Sequence, residues 1–154
     1  MEENQNIPIT AFQRLQESLE RVVNKIGVQR TTELLESFDH NSSITANEMG
    51  KVKLIATYVV SQAIRIFSLE ETKFYTSEIR EYREARMACY NIIHTYTRCS
   101  YAKIGELFSK KKRNVLYYCQ KCKGLVEEPL FDKQFAEKYR QLDKCTIEFI
   151  GKIN

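Results

Sequence analysis

At 154 residues and a net charge of +4, the chain has room for one domain, or one domain with a helical appendage. Its 43% hydrophobic content can fill a core, and five glycines and two prolines favour long helices over many turn-linked strands. No apolar run approaches the roughly 20 residues of a membrane helix, and the start M-E-E-N-Q-N is too polar for a signal peptide.

Residues 1–6 are expected to be disordered, and Pro8 suits the first turn of a helix. Phe12, Leu15, Leu19, Val22, Val23 and Ile26 recur at three- and four-residue steps and give one apolar face, which Gly27 terminates. A short helix follows through Leu34, Leu35 and Phe38, then a polar loop at 39–43. Thr45 to Glu48 reads as a capping box for a helix of about 20 residues, whose stripe of Met49, Val52, Ile55, Val59, Ala63 and Ile66 makes it the central support of the N-terminal part. Ser68 to Glu71 reads as a second capping box, and the organisational boundary is placed there.

The next helix directs Ile79, Tyr82, Ala85, Cys89, Ile92, Ile93 and Tyr96 inward. Arg80, Arg83 and Arg86 lie near one another on its other side, partly neutralised by Glu81 and Glu84. Ser100 is a good N-cap for a short helix that buries Ile104, Leu107 and Phe108. After Ser109 come four cations, Lys110, Lys111, Lys112 and Arg113, at the start of another helix. Cations are unfavourable at that end, because the helix dipole already makes it positive, so their presence points to an anionic partner. Val115, Cys119, Cys122 and Val126 form the buried side of this helix, while Asn114, Tyr117 and Lys121 project elsewhere. Pro129 ends it, and Asp132 can cap a last helix with the stripe Phe135, Tyr139, Leu142, Thr146 and Phe149.

No stretch alternates as a strand does. The expected fold is all-α: a multi-helix bundle containing a helix-turn-helix, with residues 1–68 as an N-terminal helical region for support or dimerisation and residues 69–154 as the helix-turn-helix domain. Charge is concentrated in the second part. Residues 73–125 hold twelve Lys/Arg against four Asp/Glu, whereas the remainder has an excess of anions, the asymmetry expected around a polyanion site.

Three blocks carry a family resemblance: R-E-Y-R-E-A-R from Arg80 to Arg86, S-Y-A-K-I-G-E-L-F from Ser100 to Phe108, and V-L-Y-Y-C-Q-K-C from Val115 to Cys122. Together they resemble the C-terminal DNA-binding domain of the bacterial replication initiator DnaA, in the Trp-repressor-like helix-turn-helix group. The resemblance implies that Arg80 enters a minor groove. It also implies that the helix start at Ser100, Tyr101 and Ala102 holds a phosphate, and that the recognition helix begins over Lys111, Lys112, Arg113 and Asn114. The family's D-H-S/T-T signature is replaced there by K-K-R-N, so the family's own base contacts do not carry over. Lys and Arg can read guanine and Asn adenine, or the cations can grip phosphates alone. The chain has no G-x-x-x-x-G-K-[ST] phosphate loop, and the residues before the module are too few for the initiator's ATPase domain.

The expected function is sequence-specific binding of double-stranded DNA by a stand-alone bacterial regulator or mobile-element protein. Its contacts would be Arg80, Arg86, Ser100, Tyr101, Lys103, Lys110, Lys111, Lys112, Arg113, Asn114, Tyr117 and Lys121. Neither nucleotide nor membrane is expected as a partner, and a homodimer is compatible. Two alternatives are a helical interaction module dimerising through residues 45–67 and 133–150, and RNA binding with Tyr117 and Tyr118 as stacking groups. Cys119-x-x-Cys122 falls on an apolar stripe within a helix, which reads as buried thiols rather than metal ligands or a redox pair. The five cysteines, Cys89, Cys99, Cys119, Cys122 and Cys145, have no framework spacing and read as free thiols in a reducing cytoplasm. No catalytic constellation, metal site or cofactor motif is found.

Overall fold

The computed structural model describes residues 9–42 and 49–153. These form seven α-helices and one 3-10 turn: α1 (Ile9–Ile26), α2 (Val28–Ser42), α3 (Met49–Ile66), the turn Glu71–Lys73, α4 (Arg80–Thr97), α5 (Tyr101–Phe108), α6 (Lys112–Glu127) and α7 (Lys133–Lys152). The fold is therefore an all-α bundle, with no strand among the described residues. The chain divides into two compact units, Met1–Phe38 and Asp39–Asn154. The boundary drawn from the sequence at 68/69 falls inside the second unit, where α3 packs against α4 and α7.

In the first unit, Gly27 separates α1 from α2 at φ +85°, a left-handed conformation that glycine reaches without a Cβ penalty. Its N–H closes α1 on the Val23 carbonyl at 2.7 Å. Thr31 is buried and its hydroxyl donates to the Gly27 carbonyl at 2.8 Å. The apolar stripe of α1 is not covered: Phe12 is 58%, Leu15 63%, Leu19 42% and Val22 40% exposed. The polar run expected as a loop stays helical through Ser42, because Asp39 to Ser42 are weak helix formers but contain neither Gly nor Pro to stop the helix. The Thr45–Glu48 capping box and Pro8 lie outside the described residues.

The second unit is organised around α4 rather than α3. Helix α4 is buried nearly all round through its middle, from Ala85 to Ile93, because α3, α5, α6 and α7 all pack on it. Helices α3 and α7 cover one side with the predicted stripes: Val52, Ile55, Val59 and Ala63 from one, Phe135, Tyr139, Leu142 and Thr146 from the other. Tyr58 stacks on Phe149 at 4.0 Å between ring centroids, and Phe67 meets Phe135 at 6.4 Å. These faces, offered by the sequence as dimerisation surfaces, are instead joined within one chain. On the other side Phe108 of α5 sits against Tyr90, ring edge to face at 4.8 Å, and beside Phe74.

Helix ends account for the remaining departures. Ser68 does not cap the following turn; it terminates α3 at φ 55°. Its N–H bonds the Arg65 carbonyl at 3.2 Å and that of Leu69 bonds Ile64 at 2.9 Å, the paired 5→2 and 6→1 bonds that satisfy a helix's last carbonyls. Ile79 is 60% exposed, not inward, because it is the extended residue ahead of α4 and lies outside the helical stripe. Helix α6 runs through Gly124 and continues to Glu127, two residues short of Pro129. Asp132 caps α7 as expected, accepting the Phe135 N–H at 3.1 Å.

Candidate nucleic-acid interface

Helices α5 and α6 are joined by only three residues, Ser109 to Lys111. Ser100 opens α5 by accepting the Lys103 N–H at 3.2 Å. Ser109 closes it at φ 54°, and the Lys110 N–H bonds back to the Gly105 carbonyl at 2.8 Å. This close return is allowed by Gly105: any Cβ there would collide with the Lys110 carbonyl oxygen. Ile104 and Phe108 of α5 and Val115 of α6 are buried, and the two helices pack on each other.

Helix α6 begins without a side-chain cap. Its N-cap is Lys111, which offers no acceptor, and its first turn contains no acid. The leading N–H groups and the positive end of the helix dipole are thus met by Lys111, Lys112, Arg113 and Asn114, all exposed. Local stability would place Ser, Thr or Asp there, as it does at Ser100 and Asp132.

Farther along α6, Asn114, Tyr118, Lys121 and Leu125 follow steps of four, three and four, so they share one face. That face looks across a groove to α4. A cavity of about 350 Å³ is lined by Arg80, Arg83, Tyr118, Lys121 and Phe131, among others. A second of about 100 Å³ is lined by Glu78, Arg83, Arg86, Tyr90, Lys110, Asn114 and Tyr118. Arg83 and Tyr118 line both.

The predicted contacts separate into distinct groups. Lys111, Lys112, Arg113, Asn114, Tyr117 and Lys121 are exposed along α6 and its approach, with Tyr117 at 58%. Lys110 is half-buried and lies 3.4 Å from the Glu78 carboxylate. Arg80 is exposed but already paired, at 2.8 Å with Glu84 and 3.1 Å with Asp132. Lys103 lies 3.4 Å from Glu106 on α5. Tyr101 stacks on His94 at 4.2 Å, and Ser100 is occupied as a cap; none of these three lines the groove. Arg86 departs from the expectation. Only 3% exposed, its Nη1 donates to the Phe74 carbonyl at 2.7 Å and its Nη2 is 3.6 Å from Glu78. It anchors the segment before α4 rather than meeting a ligand from solvent.

Sequence reasoning left Arg83 and Glu78 out of the site and named Tyr118 only as a stacking group for RNA. Tyr118 had a legible signal, its four-residue step from Asn114. Arg83 differs from Arg86 only in rotation about α4, and spacing alone does not say which of two arginines faces a neighbour. Glu78 has none, since its contact with Lys110 spans 32 residues.

The cysteines lie away from this groove's open surface. Cys89, Cys119 and Cys122 are buried, and burial pushes the Cys119 thiol up to about 11 and the Cys122 thiol to about 12. Among the described residues, no three His, Cys, Asp or Glu side chains converge as metal ligands do. No helix among them is long and apolar enough to cross a membrane. Comparison with protein-family models, with curated proteins and with solved structures returns no match; the chain's own residues carry the functional reading.

Proposed function

We propose that the chain binds double-stranded DNA as a helix-turn-helix protein, with α6 as the helix that enters the major groove. The carrying observation is the start of α6: an uncapped, acid-free helix N-terminus presenting Lys111, Lys112, Arg113 and Asn114 on the surface. A polyanion is the partner that satisfies both the free N–H groups and the added cations. The three-residue turn held by Gly105 supports the reading, as does the groove in which Arg80, Arg83 and Lys121 add positive charge behind the helix.

The blocks that resemble the initiator's C-terminal domain coincide with α4, α5 and α6. On this reading Lys112, Arg113 and Asn114 face base edges, Lys110 and Arg83 face phosphates, and Arg80 reaches a neighbouring groove after releasing Asp132. The role is binding, not catalysis. Titration of labelled duplex DNA at low salt tests it: binding should be readily measured, fall steeply with salt, and weaken at least tenfold in Lys112→Ala/Arg113→Ala. Absence of duplex binding at low salt overturns the proposal. Exposed Tyr117, edge-on to Tyr118 at 5.2 Å, favours stacking on unpaired bases as a second reading. Competition between duplex DNA and single-stranded RNA separates the two.

A further inference from the structure

We infer that α1 pairs with α1 of a second copy of this chain, forming a short coiled coil. The inference is independent of DNA binding. It starts from the spacing of Phe12, Leu15, Leu19, Val22 and Ile26, which steps by three, four, three and four. That is an unbroken a/d seam over about two heptads, narrower than the face a helix lays against a globular core.

The seam has been formed but not used. Its first four side chains are between 40% and 63% exposed, while the stripes of α3 and α7 are spent inside the second unit. An isolated helix of 18 residues is marginal in water, so α1 needs a partner to persist.

The charges around the seam decide what that partner is. Arg14, Glu17, Glu20 and Arg21 all occupy outer b, c and f positions. The flanking e and g positions hold Ala11, Gln16, Ser18 and Val23, with Lys25 the one charge at the far end. A partner helix selected by opposite charge would be matched by charges at these flanks. Here nothing asks for a complementary charge and nothing repels an identical helix, so like pairs with like. A lipid surface is disfavoured, because a membrane-lying helix collects cations along its apolar border, and α1 has only Lys25 there, with Glu17 and Glu20 behind.

Sedimentation equilibrium of the full chain over a wide micromolar range tests this. The wild type should approach twice the chain mass of 18.1 kDa, and Leu15→Glu/Leu19→Glu should sediment at 18.1 kDa. Both side chains are exposed, so the thermal transition of the rest of the chain should be retained in the variant. A wild type that stays monomeric throughout, with or without partitioning onto anionic vesicles, overturns the inference. So does a variant that remains dimeric.

Discussion

The Glu78 carboxylate lies 3.4 Å from the Lys110 ammonium and 3.6 Å from the Arg86 guanidinium, tying the segment before α4 to the turn between α5 and α6. One anion thus holds two cations at the mouth of the smaller cavity. On the proposed DNA-binding reading, a backbone phosphate would compete with Glu78 for Lys110. Glu78 is 68% exposed, so its pair with Lys110 contributes little to stability. Glu78→Gln should therefore tighten duplex binding by about threefold to fivefold, the equivalent of one released surface pair, and steepen the salt dependence by up to about one ion. Fluorescence anisotropy across a salt series reads both; unchanged or weaker binding would count against Lys110 as a phosphate contact.

Much of this was legible from the sequence where side chains repeat with the helix period. The stripes of α3 and α7, the Ser100 and Asp132 caps and the Gly27 stop all depend on neighbours within one helix. Long-range facts were not. That α4 is wrapped by four helices, that Arg86 turns inward to a carbonyl twelve residues away, and that Glu78 reaches Lys110 all depend on tertiary packing. The misread Ser68 shows the limit at helix ends: Ser-x-x-Glu has the pattern of a cap, yet the backbone used Ser68 to finish the preceding helix.

Arg83 and Arg86 stand one helical turn apart and should fail differently. Arg86→Met removes the donor to the buried Phe74 carbonyl and should destabilise the fold by about 3 kcal/mol. Arg83→Ala should change stability by less than about 0.5 kcal/mol, as expected for an exposed residue, while weakening duplex binding. Thermal melts paired with DNA titration check this. Equal loss of stability in both variants would contradict the assignment.

Alkaline pH should expose the buried thiols. In the unfolded chain Cys119 and Cys122 ionise near their ordinary value of 9.0, but in the fold burial holds them protonated to about 11 and about 12. Their folded pKa is raised, so their contribution is intact below pH 9 and is lost as pH rises towards those values. The melting temperature should be insensitive to these groups at neutral pH and fall above about pH 9. Cys119→Ala/Cys122→Ala, although less stable at the outset, should show a shallower fall. A drop of equal steepness in the variant would place the effect elsewhere.

The contact between Gly105 and the Lys110 carbonyl reaches beyond stability. It fixes where α6 begins by the absence of a side chain, against the backbone of Lys110 and Lys111 and no side chain of residues 111–114. The turn and the proposed reading edge therefore answer to different side chains. On the proposed reading, the side chains of Lys111, Lys112, Arg113 and Asn114 can be exchanged without disturbing the turn that aims them, so recognition can be altered while the architecture stays constant. On that reading K-K-R-N is a replaceable edge, and Gly105 holds the turn behind it.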